Sequence, residues 1–383
     1  MTRLYLDHNA TSPMKPEVKQ AMIKALDLGN PSSVHKSGRM AKAAMEQARA
    51  DLCAALDAPE NACTFTGGGT EAINMALWGM VKRDKDPVRH LLVSAIEHDA
   101  MINTARAIEQ AGLAKLEFIP VDGAGLVDRS WLVARAKTLQ SEGVTFLASI
   151  MLANNETGVV QDIEAMAPMI FSHGGFLLVD AAQAIGKMPL SFHRLQADLM
   201  IVVAHKFAGP KGVGALLVKP GLVLAPLMQG GGQEMGLRPG TQNIAGIVAM
   251  GAAAKAIDLG QAEALQALRD DIEDGLCRIA DIKIWSKNAP RLGNTLCFSA
   301  PGFAADVQVM ALDLEGIEIS SGSACSSGKV KKSHVLQAMG ADSEQAGSAI
   351  RVSLGWDTPD TAPQKFLQGW KKAHARARKT RAA

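Results

Sequence analysis

The chain has 383 residues, 48% of them hydrophobic and 20% charged, with a formal net charge of +2. This is an ordinary soluble globular composition, with length for two domains or one large one and ample material for a core. Near-neutral charge excludes an overall nucleic-acid or membrane-surface field, no run approaches 18 uninterrupted apolar residues, and no basic-then-apolar leader opens the chain. Helical spacing predicts helices over 16–28, 37–56, 70–81 and 99–111. Short apolar runs bounded by turn signals predict strands over 63–66, 90–94, 115–119 and 144–150. Two more such runs cover 175–179 and 199–204, and an Ala- and Leu-rich helical stretch extends from 244 to about 279. Beyond Lys287 the pattern changes to short strands (N-T-L-C-F-S, G-I-E-I-S-S, I-R-V-S-L) and helices. The basic tail from Trp370, W-K-K-A-H-A-R-A-R-K-T-R-A-A, reads as a solvated, fraying helix, with docking of a protein partner as the secondary reading.

Strands alternating with helices of this length imply an α/β fold with a largely parallel sheet covered on both faces. Ligands of such sheets sit at the carboxyl ends of the strands, where Gly67, Ser94, His98, Asn154, Asn155, Asp180 and His205 fall. The domain boundary is expected inside the long helical stretch, near Gly260. Five cysteines, Cys53, Cys63, Cys277, Cys297 and Cys325, form no C-x-x-C pair and no zinc-like spacing, as expected of reduced thiols in a cytoplasmic protein without a structural metal. The first four lie in helix or strand patterns and read as core residues.

The most informative stretch is V-D-A-A-Q-A-I-G-K followed by A-D-L-M-I-V-V-A-H-K-F-A-G-P-K-G-V-G-A-L. One apolar run ends on Asp180, with Gln183 three residues on; the next ends on His205 and Lys206. A carboxylate and a lysine at the ends of two buried strands can hold a flat heteroaromatic aldehyde between them. The lysine forms a Schiff base and the carboxylate pairs with a protonated ring nitrogen, the arrangement pyridoxal 5′-phosphate (PLP) requires. An idle buried carboxylate would be costly. Gln183 is placed to donate to the ring phenolate oxygen. The strand-to-helix loop T-G-G-G-T-E, Thr66 to Glu71, lets backbone amides, Gly69 among them, approach a phosphate, and Thr70 adds a hydroxyl at the helix N-terminus. Arg351, in the apolar strand A-I-R-V-S-L, suits bidentate capture of a substrate α-carboxylate, with a structural salt bridge as the competing explanation. Cys325 lies in S-S-G-S-A-C-S-S-G-K-V-K-K-S-H, a run of small polar residues that predicts a loop, and Lys329, Lys331 and Lys332 favour its thiolate.

From Y-L-D-H-N-A-T to R-V-S-L-G these motifs resemble the class V aminotransferase-like PLP enzymes, and most closely the cysteine desulfurases of the NifS/IscS type. The resemblance implies fold type I, with a mixed, mostly parallel sheet and a smaller α+β C-terminal domain. The large domain would span 13–260, and the small one 1–12 plus 261–383. It also implies that His205 reaches the phosphate and that Thr241, in R-P-G-T-Q-N, does so from the other subunit of a homodimer. By the same matching, His98 stacks on the pyridine ring and shuttles protons, and Asn155 lies near the ring and the substrate carboxylate. Relatives commonly carry serine where this chain has Val203, which puts one phosphate contact in doubt. The activity implied is L-cysteine to L-alanine, with sulfur passing as a persulfide on Cys325 to an acceptor protein, for iron–sulfur cluster assembly or general sulfur transfer. Selenocysteine lyase or cysteine sulfinate desulfinase is the alternative, disfavoured because neither needs an acceptor thiol. A non-catalytic sulfur-carrier subunit is a third reading, against which Lys206, Asp180 and Cys325 all stand.

Overall fold

A computed structural model describes residues 3–322 and 332–382, the side chains of 380–382 excepted, so Cys325 lies outside the described residues. The strands in chain order are β1 (Leu4–Tyr5), β2 (Cys63–Thr66), β3 (His90–Ser94), β4 (Lys115–Ile119), β5 (Phe146–Met151), β6 (Phe176–Asp180), β7 (Leu199–Val203) and β8 (Gly214–Val218). They continue with β9 (Lys283–Ile284), β10 (Thr295–Ser299), β11 (Ile317–Glu318), β12 (Ser320–Ser321) and β13 (Ala349–Ser353).

The large sheet has the order β2-β8-β7-β6-β5-β3-β4, and only β8 runs against its neighbours. Its central strands are buried along their whole length, as the apolar sequences FLASIM, LMIVV and GALLV require. Alternation along each strand divides the core in two. Leu177, Val179, Met200 and Val202 face one side, whereas Leu178, Leu199, Ile201 and Val203 face the helix Gly69–Val81 on the other. Asp180 shares the parity of Leu178 and so opens onto that second side.

The four helices expected in the first half of the chain begin and end within three residues of their bounds, at Pro16–Ala25, Lys36–Ala55, Gly69–Val81 and Asp99–Gln110. The helices Arg129–Ser141 and Ile163–Phe171 had no counterpart among the expected elements. The long stretch after residue 244 differs. It breaks into Ile244–Lys255 and a second segment, Leu259–Ile279, bent by 56° from the first. Asp258 causes the break locally, since its side chain caps Gly260 N–H at 2.9 Å and starts a new helix. Among the described residues no single helix is long and apolar enough to cross a membrane.

The second sheet, β12-β13-β10-β9, is antiparallel, and β1 pairs with β11 beside it. Leu4 and Leu6 join Leu296, Phe298, Ile350 and Val352 in one core with Phe366 and Trp370 of the C-terminal helix Ala362–Ala382. Trp370 is fully buried and donates from Nε1 to Gln308 at 3.0 Å, so the basic tail is anchored at its start. Cys53, Cys63 and Cys297 are buried as expected, but Cys277 is exposed. The helix Ala262–Ile279 turns Ile272 and Leu276 inward, and the next residue, about 100° further round, faces out.

Candidate active site

Two adjacent parallel strands set the geometry. β6 closes on Asp180, which pairs in register with Ile201, and β7 leads into a single 3₁₀ turn, Ala204–Lys206. Thr66 and Val203 both sit opposite Gly214, so the loop after β2 ends at the same edge of the sheet. Two glycines are required there. Gly68 has φ +144°, and a Cβ on Gly214 would come within about 3.1 Å of the Gly68 backbone. The cleft so formed, about 270 Å³, is lined by Gly69, Thr70, His98, Asn155, Asp180, Gln183, His205, Lys206 and Arg351, together with Asn9 and Val203.

Asp180 is 6% exposed, and one of its oxygens accepts Ala182 N–H at 2.9 Å. Burial pushes its carboxyl above the usual range, against the Ala182 amide, His98 and Lys206. Burial and Asp180 push the carboxyl of its neighbour Glu97 well above the usual range. A buried carboxylate still short of positive charge fits a protonated ring nitrogen. Opposite it, Lys206 Nζ donates to the carbonyls of Asn9 at 2.7 Å and Ala10 at 2.9 Å. The first turn of the helix Gly69–Val81 opens onto the cleft with amides that lack intrahelical acceptors, which suits an anion such as a phosphate. Val203 closes on that turn, since a Cβ on Gly69 would lie 2.9 Å from Val203 Cγ2. These donors and the cleft they line fit PLP.

The histidines are both held neutral. His98 caps the helix Asp99–Gln110, its Nδ1 accepting Ala100 N–H at 3.1 Å, which leaves the ring proton on Nε2. Burial lowers its basicity, Asp180 opposes and Lys206 reinforces the effect. His205 is brought down to about 4 by burial and by Lys206, Lys211 and Lys187.

Arg351 crosses β13 with 1% exposure. Its guanidinium donates to Asp7 at 2.8 Å and to the Asn155 carbonyl at 2.9 Å, while Nε is buried with no partner. The structural salt bridge weighed against a substrate role is therefore present, and the side chain lines the cleft as well. Gln183 lines the cleft as well; its Nε2 donates to Asn9 O at 2.9 Å and its Oε1 accepts from Lys187 at 2.5 Å. Thr241 is exposed and outside this cleft. Asp7, Asn9, Ala10 and Lys187 were not anticipated as parts of the site. The one local signal is D-H-N following an apolar strand, a polar run in which His8 and Asn9 are each 1% exposed.

The residues flanking Cys325 lie close to Arg351. Ser320 pairs with Arg351 across β12 and β13, Gly322 N–H donates to Ala349 O at 2.9 Å, and Ser333 Oγ donates to Glu156 at 2.5 Å. Burial raises the Glu156 carboxyl to about 7, with Ser333 and Arg351 pulling it down. The folded chain thus holds this proton more tightly than the unfolded chain does. Its contribution to stability is intact below the unfolded value and lost as pH rises through about 7. Glu156→Gln keeps an acceptor for Ser333 and removes the titration. Thermal melts of parent and variant should therefore diverge between about pH 5 and pH 8, the parent losing on the order of 3 kcal/mol relative to the variant. Parallel curves would contradict this.

Fold and cleft together define a PLP enzyme of fold type I. More particularly, the chain belongs to the aminotransferase class-V family, whose model matches residues 4–361. It is 39% identical over 361 residues to a cysteine desulfurase IscS of Dictyoglomus turgidum, covering 92% of this chain and 89% of that protein. A solved structure of a NifS-like protein superposes with a TM-score of 0.89 at 33% identity, over 98% of this chain and 100% of the other. Another, described as SspA in complex with cysteine, gives 0.80 at 30% identity, over 92% of this chain and 98% of that one.

Proposed function

We propose that this chain, a PLP-dependent L-cysteine desulfurase, transfers the sulfur of L-cysteine to Cys325 as a persulfide and releases L-alanine. The observation that carries the reading is the opposition of Asp180 and Lys206 at the ends of adjacent strands, in a cleft that also contains Arg351. When bound, PLP supplies the electron sink that makes an amino acid α-proton removable. Asp180 would keep the ring nitrogen protonated, His98 would lie against the ring, Gln183 would reach its phenolate oxygen, and Gly69, Thr70 and His205 would hold the phosphate. Thr241 completes that phosphate site from the second subunit of a homodimer, in keeping with its exposure here. Lys206 would hold the cofactor, and its Nζ would take the substrate α-proton. Arg351 binds the α-carboxylate and Asn155 orients it.

The Cys325 thiolate then attacks the substrate sulfur. The new S–S bond forms as the Cβ–S bond breaks, and the bond's electron pair stays with carbon, which is protonated to give alanine. The placement of Ser320, Gly322 and Ser333 beside Arg351 and Glu156 supports this role. We place the enzyme in the cytoplasm, consistent with the four described cysteines being free. Its persulfide passes to an acceptor protein, for iron–sulfur cluster assembly or another sulfur-transfer route.

Borohydride reduction of the holoenzyme tests the cofactor assignment. The cofactor should become covalently fixed, and peptide mapping should place it on Lys206. An adduct on Lys211 or Lys219 would overturn the assignment.

A further inference from the structure

Lys187 follows β6 by one irregular turn and has no part in the reaction described above. Its Nζ donates to Asn9 Oδ1 at 2.8 Å and to Gln183 Oε1 at 2.5 Å. Both acceptors are neutral, and no carboxylate lies within 4 Å among the described residues. Gln183 Nε2 donates in turn to Asn9 O, the same carbonyl on which Lys206 Nζ rests at 2.7 Å. Two lysines therefore share one asparagine, Lys187 on its side chain and Lys206 on its main chain, with Gln183 closing the ring of hydrogen bonds.

We infer that Lys187 is a positioning residue for Lys206: it fixes the Asn9 carbonyl against which Lys206 rests, and it places a second basic nitrogen behind the one that takes the substrate proton. This inference rests on the assignment of Lys206 made above. An ordinary lysine stays protonated near neutral pH and cannot act as a base. A neighbouring cationic group resists the second proton, and two amines so coupled titrate as a pair. Burial opposes a proton on Lys187, as do Lys206 and Arg351, and by reciprocity a proton on Lys187 opposes one on Lys206.

Other titratable groups face the pair from both sides. On the cleft side, His98 and His205 are held neutral by burial, and Asp180 opposes the effect by favouring a charged Lys206. On the far side a second cavity, reaching Lys206 and Lys187, is lined by His8, Lys15 and Asp258. There Lys15 donates to Ala256 O at 2.5 Å, and His8 pairs with Asp357 at 3.0 Å. Of these groups His205 alone feels Lys187 directly, and burial and Lys206 still hold it neutral when that charge is removed.

The test uses the holoenzyme and reads the pH midpoint of its visible absorbance, which reports protonation at the Lys206 nitrogen. Lys187→Met should move that midpoint toward alkaline pH by about one unit, a tenfold change in proton affinity, and shift the acid limb of kcat/KM the same way. Lys187→Arg, which keeps both the charge and the donors, should leave the midpoint at or below the parental value. An unmoved midpoint in Lys187→Met overturns the inference, and so does an alkaline shift in Lys187→Arg. If Lys187→Met does not fold, Lys187→Gln, which removes the charge but keeps a donor, is read in its place with the same expected alkaline shift. If borohydride places the cofactor away from Lys206, the underlying assignment has failed instead, and the two failures are distinguishable.

Discussion

Replacing Cys325 by alanine should abolish cysteine turnover while leaving the cofactor site intact. None of the residues lining the cleft changes, so the visible spectrum of the holoenzyme should match the parent. Added cysteine should still displace Lys206 and perturb that spectrum, because Arg351 and Asp180 remain. Sulfur then has no thiolate to accept it, and alanine formation should fall on the order of a thousandfold or more, as when a nucleophile is deleted. Cysteine sulfinate, whose sulfur group leaves without an acceptor, should be turned over at near the parental rate. Parental turnover of cysteine in this variant would make the lyase reading the better one. Of the other thiols, Cys53, Cys63 and Cys297 are buried, and burial pushes the Cys297 thiol far up. Cys277 alone among the described cysteines is exposed, and it serves as an internal control.

Asp180→Asn should separate cofactor affinity from stability. In the cofactor-free protein the carboxylate is disfavoured by burial, so its removal should not lower the melting temperature. With PLP bound, the same change strips a buried ring nitrogen of its counter-charge. Breaking such a pair costs about 3–5 kcal/mol, or roughly two to four orders of magnitude in cofactor affinity. Spectrophotometric titration of cofactor into both proteins, beside thermal melts of the cofactor-free forms, measures the two effects. Equal cofactor affinity would remove Asp180 from the site, and a large fall in apo stability would make its role structural.

The parts of this chain legible without a structure are those whose signal is local. β2, β3 and β4 fall on the expected residues because each is a short apolar run closed by turn residues. Asp180 and Lys206 stood out because a charge ending a buried strand is expensive unless used. The break near Asp258 was missed because alanine and leucine continue the helical pattern on both sides of it. Cys277 was misjudged because its neighbours are apolar, although its own position on the helix faces solvent. Asn9 and Lys187 were missed for a different reason. Their roles depend on the N-terminal segment packing against Lys206, 197 residues away, and no local pattern encodes that meeting.

The central claim is that sulfur leaves cysteine for Cys325. The direct measurement is to expose the holoenzyme to L-cysteine without acceptor or reductant, quench, and map the gained sulfur by peptide mass. One additional sulfur should lie on the peptide containing Cys325, with one alanine formed for each sulfur retained. Sulfur found on Cys277 instead, or free sulfide released in step with alanine while Cys325 stays unmodified, would contradict the mechanism.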